Sequence, residues 1–155
     1  MSFIKLRHAT PEDIKKIFEW RNAEEIRQFS FNTALIPWKT HVEWFNTTLL
    51  CNDRILMIGE IEENPIGVIQ YNLLNSEEAI INIYLVPGLQ SQGLGTKLLL
   101  AGIKWASQNI NIKHILAEII PDNIASIKAF TKAGFQETHR VFKINTQKGC
   151  SNGNN

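Results

Sequence analysis

Residues 83–97 read IYLVPGLQSQGLGTK, an apolar run that leads through a glycine-containing loop into residues with helical spacing. This stretch predicts a strand, a loop and the first turns of a helix. Free backbone N–H groups at a helix N-terminus form an anion site, and Gly93 and Gly95 allow the main chain to approach an anion closely. The alternative is that both glycines only shape a tight turn between the strand and the helix.

Two common phosphate-binding loops do not fit this stretch. The P-loop needs Lys and then Ser or Thr directly after its second glycine, whereas Leu94 follows Gly93. The dinucleotide-binding fingerprint needs Gly or Ala three residues after Gly95, where Leu98 stands. The loop therefore predicts an anion site of another kind.

On both sides of the loop, apolar alternation predicts strands and a 3.6-residue period predicts helices. Strands are predicted at residues 3–7, 55–62, 66–73, 79–86 and 115–120, with a closing hairpin at 135–138 and 141–144. Helices are predicted at about 10–22, 37–50, 94–109 and 123–134. This α/β (α+β) pattern implies a mixed, mostly antiparallel sheet of about seven strands, flanked by about four helices on its two faces.

The composition is that of an ordinary globular domain. The 155 residues are 44% hydrophobic and carry a formal net charge of +1, which favours neither nucleic acid nor a membrane surface as a partner. We expect a single domain at residues 1–144 and a polar tail at 145–155. No apolar run approaches about 18 residues and no signal peptide is present, so we expect a cytoplasmic protein. Two cysteines and four dispersed histidines predict no metal site.

Two motifs carry a family resemblance. Residues 90–95, QSQGLG, resemble the (Arg/Gln)-x-x-Gly-x-(Gly/Ala) signature of the GNAT superfamily of N-acyltransferases. Residues 123–135, NIASIKAFTKAGF, are similar to that family's Asn-x-x-(Ala/Ser)-x-x-x-(Tyr/Phe)-x-x-x-Gly-Phe segment. Both motifs in this order imply the GNAT fold over residues 3–144, and an N-acetyltransferase with acetyl-CoA as its co-substrate.

The resemblance also assigns the acetyl-CoA site. It implies that the loop amides hold the CoA pyrophosphate, that the preceding strand pairs with the pantetheine arm, and that Asn123 and Ser126 contact this arm. Phe130 stands where many members of the family carry a Tyr that protonates the leaving thiolate, and Phe cannot do this. The implied cofactor-binding residues are Leu85, Val86, Gln90, Gln92, Gly93, Leu94, Gly95, Thr96, Asn123, Ser126 and Phe130.

The N-terminal half resembles one branch of the family. Residues 20–27, WRNAEEIR, and 41–44, HVEW, are similar to enzymes that acetylate a UDP-linked amino sugar on the way to pseudaminic acid. The resemblance implies a nucleotide-linked amino sugar as the acceptor, bound by Arg21, Asn22 and His41, because a guanidinium binds oxyanions bidentately. The alternatives are a surface ion pair for Arg21 and a packed histidine on the apolar stripe of its helix for His41.

The expected reaction is direct attack of a neutral amine on the thioester in a ternary complex. Residues 79–84 contain no carboxylate, so we expect Glu118 to be the base, with a surface acid on an edge strand as its alternative. Asn82 and Tyr84 share a face of their strand, and Tyr84 is the candidate for the missing acid. The expected catalytic residues are therefore Tyr84, Glu118 and Asn82.

Two other functions stay open. A ribosomal-protein or peptide N-terminal acetyltransferase shares a looser Trp-x-Asn pattern and predicts an open groove lined by acids. A non-catalytic acyl-CoA-binding module would explain the missing tyrosine at Phe130. A polyamine acceptor is disfavoured, because the N-terminal half has no dense acidic cluster. An exposed edge strand near the C-terminus could pair with a second copy and give a homodimer.

Overall fold

The structure is a computed structural model and describes residues 2–147. The strands are β1 (Lys5–His8), β2 (Arg54–Ile61), β3 (Asn64–Leu73), β4 (Glu78–Leu85) and β5 (His114–Leu116). The helices are α1 (Ile14–Asn22), α2 (Glu24–Arg27), α3 (Trp38–Leu50), α4 (Leu94–Asn109) and α5 (Ile124–Lys132), with a 3-10 turn at Pro11–Asp13 before α1.

The five strands form one mixed sheet in the order β1-β2-β3-β4-β5. All neighbours pair antiparallel except β4 and β5, which are parallel. A parallel pair needs a crossover connection, and α4 supplies it. β4 lies between β3 and β5, and its register places Tyr84 opposite Val68 of β3. The carboxyl end of β4 at Leu85 leads into the glycine loop.

Helices cover both faces of the sheet, because the apolar runs of β2, β3 and β4 bury side chains on both sides. The face under α1 and α3 buries Ala9, Ile17, Phe45, Leu56, Ile58 and Val68. The face under α4 and α5 buries Ile69, Tyr71, Ile81, Leu98, Leu99, Ala106 and Phe130. A Cβ at Gly67 would lie 2.6 Å from the Tyr84 carbonyl oxygen and 2.5 Å from Leu98 Cδ2, so glycine permits this close packing of α4.

One arginine ties the first helical layer to the sheet. Arg7 donates from its two Nη atoms to the carboxylate of Asp13 at 2.8 and 2.9 Å, and from Nε to Glu60 at 2.7 Å. The Thr10 amide donates to Asp13 at 2.8 Å. Burial opposes the charge on Asp13, but the hydrogen bonds from Arg7 and Thr10 outweigh it and hold the pKa of Asp13 below its ordinary value.

The predicted α/β class is confirmed, but the predicted counts of seven strands and four helices are wrong. The described residues form five strands and five α-helices, and α2 is too short for its period to be read from the sequence. The closing hairpin predicted at 135–138 and 141–144 is absent. Val141, Phe142 and Ile144 are 84–90% exposed. Residues 135–144 contain no Gly, Asn, Asp or Pro that would make a tight turn, so alternation alone gives no strand there.

No helix within residues 2–147 has the length and apolar character needed to cross a membrane. Most of the tail predicted at 145–155 lies outside the described residues. The domain boundary at residue 144 stays a prediction.

Candidate functional site

A gap opens in the sheet between β4 and β5. The two strands pair only from Glu78 with His114 to Ile80 with Leu116, although β4 continues to Leu85. Residues 117–120, predicted as strand, have no regular structure. The carboxyl-terminal half of β4 therefore has an unpaired edge, and such an edge accepts an extended ligand through main-chain hydrogen bonds.

Alternation determines which backbone groups of β4 face this gap. The Val86 amide donates to the Ile66 carbonyl on the β3 side at 2.8 Å, and neighbouring residues direct their backbone groups to opposite edges of a strand. Leu85 and Ile83 therefore direct theirs to the gap. Of the two residues predicted to pair with the pantetheine arm, Leu85 is on the open edge. The Val86 amide already donates to Ile66, and the Val86 carbonyl accepts from the Leu89 amide at 3.2 Å.

The loop after β4 ends in a left-handed residue that begins α4. Gly93 is the N-cap of α4 with φ 75°, a conformation that glycine adopts without strain. Gly88, at the start of the loop, has φ 89°. A Cβ at either position would meet no atom within 4 Å, so both glycines face open space.

The amides that lead into α4 are free to bind an anion. Within residues 2–147, no backbone N–H from Gln92 to Thr96 donates a hydrogen bond. The first bond of the helix runs from the Lys97 amide to the Gly93 carbonyl at 3.5 Å. No acidic residue lies in the first turn of α4, so the positive end of the helix dipole is uncompensated. Gly93, Leu94, Gly95 and Thr96, predicted to hold the pyrophosphate, belong to this stretch.

The residues predicted from the second motif lie on α5 and have different surroundings. Asn123 Oδ1 accepts from the Ser126 amide at 3.2 Å, so Asn123 caps α5 and keeps its Nδ2 group available. Ser126 is half-buried. Phe130 is buried and meets Phe135 edge-to-face, with ring centroids 4.9 Å apart. Phe130 is thus part of the core between α4 and α5 and offers no polar atom.

Arg21 is a half-buried cation without a carboxylate partner. It lies in the last turn of α1, and its guanidinium carbon is 4.3 Å from the ring centroid of Trp44. Among the described residues, no salt bridge involves Arg21, so the ion-pair alternative is not observed. Burial lowers the pKa of Arg21, although a guanidinium stays charged at neutral pH. A partly desolvated guanidinium with free donors is a binding group for an anion.

The hydroxyl of Tyr84 is buried beside Arg21 and has no hydrogen-bond partner among the described residues. The ring of Tyr84 is half-buried. Burial raises the pKa of Tyr84 well above its ordinary value, and the charge of Arg21 opposes this rise. The hydroxyl is therefore a neutral donor and a weak acid, which argues against the predicted protonation of the thiolate by Tyr84. Asn82 lies on the same face of β4 and is exposed.

His41 is enclosed in a cluster of aromatic rings. It is 1% exposed, and its Nε2 lies 2.7 Å from the Ile14 carbonyl, to which it donates. Burial lowers the pKa of His41, and the charge of Arg21 adds to this effect. The surrounding rings are Phe18, Trp38, Trp44 and Phe45. This geometry matches the packed alternative. Nδ1 has no partner among the described residues, and contact with the acceptor stays a prediction for it.

Asn22 holds the loop between α2 and α3, residues 28–37, against the end of α1. Its Nδ2 donates to the Ile36 carbonyl at 3.0 Å, and its Oδ1 accepts from the Ile36 amide at 2.8 Å. Arg27 donates to the Asn22 carbonyl at 2.8 Å and to the Thr33 carbonyl at 2.9 Å. Both amide atoms of Asn22 thus bind backbone, and its contact with the acceptor stays a prediction. The loop exposes Phe29, Phe31 and Leu35.

Glu118 is exposed just beyond the end of β5. Ala117 and Ile119 pack toward the core under α4 and α5, whereas Glu118 between them is exposed. Asn82 and Tyr84 share the face of β4 that is turned away from that core. No hydrogen bond joins Glu118 to either residue, and the catalytic roles of all three stay predictions.

One residue at the site was missed by the sequence reasoning. Glu25 Oε2 accepts from the Gly88 amide at 3.2 Å, across 63 residues of sequence. Glu25 stands in the sequence as one of two adjacent acids on a polar helix. A contact over this distance leaves no local pattern by which it could be found.

Comparison with known proteins gives matches over most of the chain. A family model described as an acetyltransferase (GNAT) domain matches residues 4–136. Acetyltransferase PseH of Campylobacter jejuni (serotype O:23/36, strain 81-176) is 27% identical over 135 residues, which cover 85% of this chain and 84% of that protein. Aminoglycoside N(6')-acetyltransferase type 1 of Klebsiella pneumoniae is 25% identical, covering 89% and 76%.

A solved structure with the same fold was determined with ligands. The spermidine N-acetyltransferase of Vibrio cholerae, in complex with CoA and spermine, superposes with a TM-score of 0.81. The sequence identity is 21%, and the match covers 92% of this chain and 88% of that one. At this identity the likeness shows the fold alone.

Proposed function

Because the chain belongs to the GNAT family of acetyltransferases, we propose that it transfers the acetyl group of acetyl-CoA to the amine of a nucleotide-linked amino sugar. The predicted family, the predicted acetyltransferase activity and acetyl-CoA as the co-substrate are confirmed by the comparisons. The acceptor and the roles of individual residues are the proposal.

The acceptor class is inferred from the guanidinium of Arg21, which has no carboxylate partner among the described residues. Spermidine and aminoglycosides are polycations at neutral pH, and a partly desolvated cation without a counter-charge repels them. A diphosphate supplies the missing anion and uses the planar donors of the guanidinium bidentately. The neutral hydroxyl of Tyr84, which lies beside Arg21 without a partner, is a second donor for the same anion.

The loop of residues 28–37 is suited to the nucleotide end of this acceptor. Phe29 and Phe31 are 41% and 73% exposed, and aromatic faces bind bases by stacking. Asn22 and Arg27 fix the loop to the end of α1. The ordering of this loop is therefore largely complete before the acceptor arrives, which lowers the entropic cost of binding.

The reaction proceeds at the gap beside β4. The free amides from Gln92 to Thr96 hold the CoA pyrophosphate, and the open edge at Leu85 pairs with the pantetheine arm. Glu118 removes the proton from the amine, directly or through water. Phe130 offers no proton, so the CoA thiolate leaves unprotonated, which is feasible because thiols have a pKa of about 8.5.

Calorimetric titration of UDP into the CoA-saturated protein tests the anionic acceptor subsite. We expect sub-millimolar binding of UDP that weakens as salt is added, because the contact is between charges. Spermine and kanamycin, titrated under the same conditions, are expected to bind more weakly. Tighter binding of either polycation than of UDP would overturn the proposed acceptor class.

We propose that the exposed C-terminal segment of one copy pairs with a second copy to form a homodimer. Val141, Phe142 and Ile144 are almost fully exposed, and an extended apolar segment with free backbone groups pairs readily with another chain. A second copy of this chain is the occupant we propose. Light scattering should give twice the monomer mass, and Phe142→Asp should return the protein to a monomer. A monomeric wild-type protein would contradict this assembly.

A further inference from the structure

One hydrogen bond joins the acceptor side of the molecule to the cofactor loop. Glu25 Oε2 on α2 accepts from the Gly88 amide at 3.2 Å, and this amide is shared with Gln90 Oε1 at 3.0 Å. Among the described residues, no other hydrogen bond or salt bridge links residues 20–37 with residues 86–96. The contact is therefore the polar connection between the two halves of the site.

The two ends of this hydrogen bond differ in rigidity. On the α2 side, Arg27 and Asn22 fix the backbone by hydrogen bonds of 2.8–3.0 Å. On the loop side, Gly88 has φ 89° and no atom packs where a side chain would lie. The neighbouring Leu89 packs against the core under α4 and α5, and its amide donates to the Val86 carbonyl at 3.2 Å, so the hydrogen bonds to the Gly88 amide add to this packing. The carboxylate of Glu25 therefore adds a hydrogen bond from a fixed helix to the exposed part of the loop at Gly88.

We propose that Glu25 is a positioning residue for acetyl-CoA. Its carboxylate holds the Gly88 amide and so sets the path of the loop that delivers the amides of Gln92 to Thr96 to the CoA pyrophosphate. The inference rests on the acetyl-CoA site of the proposed function and not on the identity of the acceptor. The same contact gives α2, which begins three residues after Arg21, an influence on cofactor affinity.

Electrostatics and positioning predict opposite effects for the loss of this carboxylate. Removing a negative charge near the anionic CoA strengthens its binding by reducing repulsion. Removing the anchor of the loop weakens binding. Glu25→Gln removes the charge and keeps an acceptor oxygen for the Gly88 amide, whereas Glu25→Ala removes both. Glu24→Ala is the matched control, since Glu24 is the adjacent exposed acid of α2 and its carboxylate makes no hydrogen bond within residues 2–147.

Calorimetric titration of CoA into the wild type and the three variants tests the proposal. A single hydrogen bond predicts that Glu25→Ala raises the Kd for CoA about 3- to 10-fold. Glu25→Gln and Glu24→Ala are expected to bind CoA as tightly as the wild type, or more tightly. In steady-state assays, Glu25→Ala should raise the KM for acetyl-CoA and leave kcat unchanged.

Equal Kd values for Glu25→Ala and Glu24→Ala would overturn the proposal, and so would a Glu25→Gln variant as weak as Glu25→Ala. Hydrogen exchange at residues 86–91 gives a second measurement, in which Glu25→Ala alone should show faster exchange. Failure of the wild type to bind CoA would instead overturn the cofactor site itself, and the positioning role with it.

Discussion

Replacement of Arg21 by methionine should separate anionic from cationic acceptors. Methionine keeps an unbranched apolar stem against Trp44, from which the guanidinium carbon is 4.3 Å distant, and removes every donor. The change loses a cation–π contact of about 0.5–1 kcal/mol and also removes an unpaired, half-buried charge. The two effects oppose each other, so we expect the free energy of unfolding to change by less than about 1 kcal/mol.

The effect on catalysis should be much larger. Hydrogen bonds to charged groups contribute about 1.5–3 kcal/mol, and a bidentate contact with a diphosphate in a half-buried site should reach the upper end of this range. Since about 1.4 kcal/mol corresponds to a factor of ten, we expect kcat/KM for a UDP-linked amino sugar to fall about 100-fold. The same amino sugar without its nucleotide should lose less than about threefold, because it has no phosphate for Arg21 to bind.

Thiol release from acetyl-CoA measures both values. Arg140→Met is the control, because Arg140 is an exposed arginine whose one ion pair within residues 2–147 is with Glu137 on the surface, and its loss should change neither rate. Equal slowing of the two acceptors by Arg21→Met, or an unchanged rate for the sugar nucleotide, would contradict the binding of the diphosphate by Arg21.

Three further predictions concern the same structure. Tyr84→Phe should raise the KM for the acceptor about tenfold with little change in kcat, because its hydroxyl binds the acceptor and does not protonate the thiolate; a kcat reduced by about 100-fold would restore the acid role. Gly93→Ala should destabilise the protein by about 1–2 kcal/mol and weaken CoA binding, since φ is 75°; unchanged denaturation and calorimetry would contradict this. The pKa of Asp13 lies below its unfolded value, so its stabilisation is complete above about pH 4 and is lost as the pH falls through the folded pKa. The free energy of unfolding, measured by urea denaturation between about pH 5 and 2, should therefore fall more steeply for the wild type than for Asp13→Asn. Parallel pH profiles would contradict the role of the Arg7 contact.

Features encoded by neighbouring residues could be predicted from the sequence. The glycine loop and the bounds of α4, Leu94–Asn109, follow from a change of period and from Gly93 at the N-cap. In each case the residues that determine the structure lie within a few positions of one another.

Features that depend on distant residues could not be predicted. The sequence showed His41 on an apolar stripe, but the aromatic rings that enclose it come from α1 and α3 together. It marked Asn22 as a substrate-binding residue, but gave no sign that the Asn22 side chain also binds the backbone at Ile36. The hairpin predicted at residues 135–144 had the alternation of strands without a turn to close them or a partner to pair with. The missed contact of Glu25 with Gly88 spans 63 residues.

The identity of the acceptor is the central claim, and a comparison of turnover tests it most directly. Thiol release from acetyl-CoA should be followed with four amines: a UDP-linked 4-amino-4,6-dideoxy sugar, a ribosomal-protein N-terminal peptide, spermine and kanamycin. We expect rapid turnover of the sugar nucleotide alone, with the acetyl group found on its amine by mass spectrometry. Turnover of the peptide or of a polycation, with none of the sugar nucleotide, would contradict it.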